Sequence, residues 1–431
     1  MRAMSIVVIP STDRRGWGAP QLSLYRHGMA GLLVFALVLL LAVLLSGLAD
    51  RSVLSMTVLF LVAGFLVGTG TTGLVDVSAG SEIVSLLARL ALFAVLFTDG
   101  MQAGLRDLTS AWRLPGRALL LGMPITLFAI AALAFLTTDV GWGEAFLIGA
   151  ILSPTDPVFA AAIVGRAGVP ARLRHLLNVE SGLNDGLALP VVLLALVALG
   201  GSESSAAVIT LELAAGVVIG ILIPLVALKA ERTRYFSPAA SVAALFPFAI
   251  GLTIYALCEV THANLFLAAF SAGVTITSLD PGFRDSFHDF GQLLSELLKL
   301  AAVFVFASLI SPTLLSEIPL GGYVFALLVI FVARPLAISI AFLGSGIGGR
   351  EWAAAAWFGP KGFASVVYGL LVLESGIAGD DELFHLVAIA VIASIMLHSS
   401  TDVFVASRFP ELSDPEPDPV APGSGREDAE D

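Results

Sequence analysis

The stretch Glu180–Pro190, ESGLNDGLALP, places two carboxylates and an amide within six residues of a long apolar run. A charged Asp at the centre of a membrane helix costs roughly 2.5–3.5 kcal/mol. A carboxylate kept there needs a cation, a proton or a buried base as partner. A second polar group, Ser153-Pro154-Thr155-Asp156-Pro157, falls in the middle of EAFLIGAILSPTDPVFAAAIV. Each proline lacks an N–H and clashes with the preceding turn. Two of them three residues apart should break the helix. The freed carbonyls then point inward beside the Asp156 carboxylate and the Thr155 hydroxyl, and hard cations take oxygen ligands of this kind. Broken backbone at membrane depth is tolerated only where protein or a water-filled cavity receives it.

Helical spacing divides the first motif. Ser181 and Asp185 are four apart and share one face, and Glu180 and Asn184 share the adjacent one. Glu180 and Asp185 stand about 140° apart around the axis, so they need not serve one site. Asp185 with Ser181 can face a cavity, while Glu180 can face a buried base. A third interruption, Gly359-Pro360-Lys361-Gly362, breaks another apolar run and brings a positive charge to the break. Arg334 lies at mid-depth in VFALLVIFVARPLAISIAF. Glu180 is its expected partner once Asp156 and Asp185 face the cavity. Asp99, in LFTDGMQ near the cytoplasmic surface, is the alternative. Lys299 either pairs with Glu296 at i−3 or reaches toward the cavity acids. Arg89 is left without an assigned partner.

These residues must be held by membrane helices. The chain has 431 residues, 57% of them hydrophobic and only 13% charged, against about 25% charged in soluble domains. A spanning helix needs about 20 mostly apolar residues. Thirteen stretches qualify: 29–48, 52–69, 82–102, 117–136, 143–164, 173–199, 206–228, 238–258, 261–278, 289–310, 320–343, 351–374 and 382–402. The polar break separating the eighth from the ninth is short, at Thr261 and His262. Loops after odd-numbered spans carry twelve basic residues, among them Arg51, Arg106, Arg113, Arg166, Arg172, Arg232 and Arg350, and loops after even-numbered spans carry none. Lys and Arg concentrate on the cytoplasmic side. This places the odd loops and the C-terminus inside and the N-terminal segment 1–28 outside, in the extracellular or periplasmic space, although Arg2, Arg14, Arg15 and Arg26 count against it. Residues 409–431 are acidic and proline-rich, the composition of a disordered tail. Spans 1–6 and 8–13 read as two inverted six-helix repeats, because the interrupted helix is the fifth of each set. Interrupted helices at corresponding positions of two halves mark a transport site.

Other chemistries find little support. The six His residues form no H-E-x-x-H pair, and no G-x-x-x-x-G-K-[ST] loop exists, so neither zinc hydrolysis nor ATP-driven pumping is indicated. No cofactor, nucleic-acid partner or enzyme activity is expected. The single Cys258 cannot form an internal disulfide. Gly64/Gly68 and Gly216/Gly220 are small-xxx-small pairs suited to helix packing or to a dimer contact.

The combination of SPTDP, ESGLNDG, Arg334 in the span before the interrupted one and the Gly/Pro-broken penultimate span resembles the monovalent cation:proton antiporters of the NHE/NhaP type. The resemblance covers about 29–402. It implies an all-α membrane protein of about thirteen spans with two broken helices crossing at mid-membrane, and a homodimer whose protomers have a core bundle and an interface domain. It also implies a multi-pass plasma-membrane location and a role in pH homeostasis. Carried over residue by residue, Asp185 is the ion- and proton-carrying acid. Asp156, Ser181 and the Thr155 main-chain carbonyl complete the site for Na+. Asn184 stands beside them, and Glu180 with Arg334 forms a buried pair. Many relatives have Arg-Gly at the second break, where this chain has Lys361-Gly362. The Asn-Asp form is associated with electroneutral exchange. The expected activity is exchange of Na+ (or Li+) for H+ by alternating access, the two competing for Asp185, with K+/H+ exchange on the same scaffold as the alternative.

Overall fold

In the computed structural model of the chain, the structure describes residues 19–49, 55–75, 78, 81–103, 112–156, 169–201, 205–233, 239 and 242–406. The acidic tail, most of the N-terminal segment, Pro157 with the rest of the fifth span, and Arg51, Arg106, Arg166 and Arg234 lie outside them. Among the described residues the chain is helical, with seven helices long and apolar enough to cross a membrane and six shorter apolar ones.

With the short Gly349–Trp357 helix added to these thirteen, the order along the chain is α1 (Ala19–Ala49), α2 (Met56–Val67), α3 (Glu82–Gln102), α4 (Arg113–Thr137), α5 (Trp142–Leu152), α6 (Ala171–Ala198) and α7 (Ala206–Glu231). Then come α8 (Leu245–Thr261), α9 (Leu265–Leu279), α10 (Pro281–Leu309), α11 (Leu320–Ala341), α12 (Gly349–Trp357), α13 (Phe363–Ser375) and α14 (Asp380–Ala406). Side chains at the helix starts accept the orphan N–H groups that every helix N-terminus leaves. Ser55, Ser205 and Asn264 do so for α2, α7 and α9, and Asp280 does so for α10, with Pro281 behind it. The short break between α8 and α9 is a real turn. His262 takes the left-handed conformation (φ 56), and Asn264 starts the next helix.

Two groups of helices emerge from the packing. In one, α2 lies on α10, and α9 lies between α3 and α7. In the other, α4 lies on α5, α13 on α14, and α11 on both α4 and α14. α6 touches both groups. The glycine pairs serve this packing inside the chain. A Cβ on Gly64 or Gly68 would come within 2.3 or 2.2 Å of the Phe304 or Ser308 carbonyl of α10. On Gly216 or Gly220 it would come within 2.4 Å of the Asn264 or Ala268 carbonyl. Outward, large apolar side chains such as Leu44, Ile83, Leu136 and Val226 stand exposed, the surface that hydrocarbon covers.

Two π turns mark the second group: Ala118–Gly122 in α4 and Val329–Ala333 in α11. Each is followed by a proline in the second position after it, Pro124 and Pro335. Proline removes the N–H that would close the preceding turn, and wider π turns are a known accommodation at such points.

Candidate functional site

The backbone of α5 ends at Leu152, and Ser153–Asp156 run on without helical hydrogen bonding. The backbone between α12 and α13 opens in the same way over Phe358–Gly362. The two open segments meet. The Asp156 N–H donates to the Pro360 carbonyl at 3.0 Å, and the Ser365 hydroxyl donates to the Ile151 carbonyl at 2.8 Å.

Each break is capped by a charged residue from the other. The last carbonyls of a helix carry partial negative charge and the first N–H groups partial positive charge, and a matching side chain is worth about 0.3–2 kcal/mol. Lys361 Nζ lies 3.5 and 3.4 Å from the Ser153 and Pro154 carbonyls at the end of α5. The Asp156 carboxylate accepts the Phe363 N–H, the first of α13, at 3.0 Å. Gly362 makes that approach possible, because a Cβ there would come 2.5 Å from Asp156 Oδ2. Lys361 is 1% exposed, and these two carbonyls are the acceptors its Nζ reaches among the described residues.

α6 supplies the other half of the site. Glu180, Ser181, Asn184 and Asp185 are all buried. Asn184 Nδ2 donates to the Thr155 carbonyl at 3.1 Å and to the Thr155 hydroxyl oxygen at 2.8 Å. It therefore ties α6 directly to the α5 break, and the Asn184 Oδ1 atom is buried with no hydrogen-bond partner among the described residues. Glu180 faces the other way. Arg334 Nη1 and Nη2 donate to its two carboxylate oxygens at 2.7 and 3.1 Å. Arg334 Nε donates to the Ala355 carbonyl near the end of α12 at 3.0 Å. The two carboxylates of ESGLNDG thus face different neighbours.

The alternative partner for Arg334, Asp99, belongs elsewhere. Placement near the end of α3 suggested a cytoplasmic surface position, but Asp99 is buried. Close helix contact is the reason: a Cβ on the adjacent Gly100 would stand 2.4 Å from the Phe270 carbonyl of α9. Asp99 lies close enough to Asp156, Asp185 and Lys299 for their charges to act on one another. Lys299 feels the charges of Asp156, Asp99 and Asp185 as well as that of Glu296. Lys299 and Glu296 line a narrow cavity of about 10 Å³, together with Asp156, Thr57, Gly362 and Phe363; that is about the room one water takes. Asp185 does not line this cavity. Arg89 finds a partner in Glu259 of α8 at 3.4 Å, with both side chains nearly half exposed.

Several contributing residues were not picked out from the sequence. The Tyr368 hydroxyl of α13 donates to the Asp185 backbone carbonyl at 2.7 Å. The Lys361 N–H donates to the Ser394 hydroxyl oxygen of α14 at 2.7 Å. His398, also of α14, faces the Trp357 carbonyl through Nε2 at 3.0 Å. At the N-terminal end of α6, Arg172 forms a forked pair with Glu351 of α12, one contact being 2.9 Å.

The transmembrane sodium/hydrogen exchanger family matches residues 35–407. The chain belongs to this family. It is a cation/proton antiporter, a secondary transporter rather than an enzyme, and a multi-pass membrane protein. The exchanger is 25% identical over 401 residues to the K(+)/H(+) antiporter NhaP2 of Shewanella oneidensis, covering 90% of this chain and 68% of that one. It is 23% identical over 407 residues to the K(+)/H(+) antiporter NhaP of Alkalimonas amylolytica, covering 91% and 69%. Its fold matches the sodium proton antiporter MjNhaP1 of Methanocaldococcus jannaschii with a TM-score of 0.72 at 19% identity, over 89% of this chain and 99% of that one.

Proposed function

We propose that the exchanger moves Na+ (or Li+) against H+ across the plasma membrane, one for one, with the two competing for the Asp185 carboxylate. The observation that carries this reading is the meeting of three interrupted or polar segments around one point. Thr155 and Asp156 from the α5 break are tied to Asn184 of α6 and Phe363 of α13, with Asp185 next in the α6 sequence. Asp156, Ser181 and Thr155 complete the oxygen set around Asp185. Asn184, Lys361 and the Glu180–Arg334 pair hold it.

Proton or cation leaves Asp185 similarly neutralised, so either loaded form can cross. The empty, charged form is held back by the cost of an uncompensated carboxylate in a low-dielectric interior. Competition at one group couples the two fluxes without a separate gate. Movement of the α4–α6 and α11–α14 core against the α1–α3 and α7–α10 interface group would expose the site to each side in turn. Thirteen crossings in two inverted repeats fit this motion. The repeat is supported by the matching π turns with following prolines in the fourth helix of each set, and by the open backbone within the fifth span of each, at Ser153–Asp156 and Phe358–Gly362. The charge distribution supports an outside N-terminus and a cytoplasmic C-terminus, and the interface group is the surface expected to pair in a homodimer.

A second reading, K+ for H+ at the same site, is favoured by the names of the two relatives, both K(+)/H(+) antiporters. Dequenching of a pH dye in proteoliposomes, with Na+, Li+ and K+ added in turn across pH, separates the two. Na+ and Li+ responses at lower concentration than K+, unchanged by a clamped potential, are expected. A response to K+ alone would move the assignment to the second reading.

A further inference from the structure

We propose that Tyr368 is a positioning residue for exchange: its hydroxyl fixes the backbone at Asp185 against α13, so that α13 sets the relation between Asp185 and Asp156. The inference rests on the reading of Asp185 as the exchanging carboxylate.

α6 is locally soft where it carries this acid. Gly182 and Gly186 flank Asp185, and Pro190 follows within the helix. Glycine weakens a helix interior by its freedom. Proline removes the N–H that the Gly186 carbonyl would accept, and it crowds that carbonyl. The helix alone therefore fixes the Asp185 Cα poorly, and packing must do it. On one side, the Phe270 ring of α9 fills the space at Gly186, where a Cβ would come within 3.1 Å of it. From α13, Tyr368, with no exposed surface, donates its hydroxyl to the Asp185 carbonyl at 2.7 Å. No other side-chain hydrogen bond of Tyr368 occurs among the described residues, so its one polar atom is committed to this backbone.

The same helix begins on the other acid. The Phe363 N–H donates to Asp156, and Tyr368 follows five residues later, about 7.5 Å further along the axis. α13 is thus a short rigid rule with Asp156 at its first N–H and the Asp185 backbone at its second turn. A shift of α13 moves both acids together, and loss of the tyrosine hydroxyl releases one of them.

The test is Tyr368→Phe in full-length protein in proteoliposomes, beside wild type and Asp185→Asn. One neutral hydrogen bond corresponds to a change of about two- to tenfold. The expected result is an apparent KM for Na+ (or for K+, if K+ is the ion) raised about fivefold, Vmax within twofold of wild type, and a displaced pH profile. Wild-type KM and pH profile in Tyr368→Phe would overturn the proposal, as would a fall in Tm without any change in either. If Tyr368→Phe does not fold, 3,5-difluorotyrosine at 368 keeps the hydroxyl and nearly the same shape while making the phenol a stronger donor. A shifted KM or pH profile is then expected, and no shift overturns it. Exchange retained by Asp185→Asn would instead overturn the underlying reading of the site.

Discussion

The buried pair between Glu180 and Arg334 makes a strong stability prediction. Arg334 is 4% exposed and Glu180 5%, and the guanidinium makes three hydrogen bonds, two to Glu180 and one to the Ala355 carbonyl. Removing one partner of such a pair leaves the other charge buried and uncompensated, a loss of about 3–5 kcal/mol. Removing both and replacing them by apolar side chains of similar volume is often near neutral, apart from about 1 kcal/mol for the Ala355 carbonyl that loses its donor. Glu180→Leu and Arg334→Met should therefore each be severely destabilised, while the double variant should be more stable than either. The loss in each single variant corresponds to roughly 3–6 °C of Tm on the scale of soluble domains. Thermal denaturation of detergent-solubilised protein, followed by size-exclusion fluorescence, reads this directly. A double variant as unstable as the sum of the singles would refute the account, because the two charges would then not be compensating one another.

Gly359→Ala should disturb the same pair by crowding, since a Cβ there would stand 1.9 Å from Arg334 Cδ; a Tm lower by several degrees is expected, and a wild-type Tm would contradict the packing. Asn184→Ala frees the Thr155 carbonyl and hydroxyl and should raise the apparent KM for the cation about fivefold, the scale of one or two neutral hydrogen bonds, measured by dye dequenching. Lys361→Met leaves the Ser153 and Pro154 carbonyls uncapped and should lower stability by about 1–2 kcal/mol while slowing exchange, checked by Tm and flux on one preparation. Because the proton is a competitor, the apparent KM for the cation should rise as pH falls, with Vmax little changed, whatever the ion.

Much of the site was legible because charge is so rare in this chain. With 13% charged residues, the buried acids and bases could be counted and paired by elimination, which linked Glu180 to Arg334 across 154 positions. Proline and glycine marked both breaks, because their backbone limits hold in any solvent. The two faces of ESGLNDG followed from helical spacing, although Asn184, grouped with Glu180, turns to the α5 break instead. What the sequence hid depended on how helices lean on one another. Asp99 is near a helix end by count, yet α3 and α9 pack so closely there that it is enclosed. Tyr368 is one amphipathic ring in an apolar run, and its role comes from the neighbour that it meets. Arg89 and Glu259 are 170 positions apart and half exposed, so neither stood out as needing the other.

The central claim is that one carboxylate, Asp185, holds either a proton or a cation. Proton release from purified protein in weakly buffered solution tests it without any transport step. Addition of saturating Na+ (or K+, if K+ is the ion) to the wild-type protein near neutral pH should release close to one proton per ion bound, and Asp185→Asn, still folded, should release none. Cation binding without proton release, or undiminished release from Asp185→Asn, would contradict it.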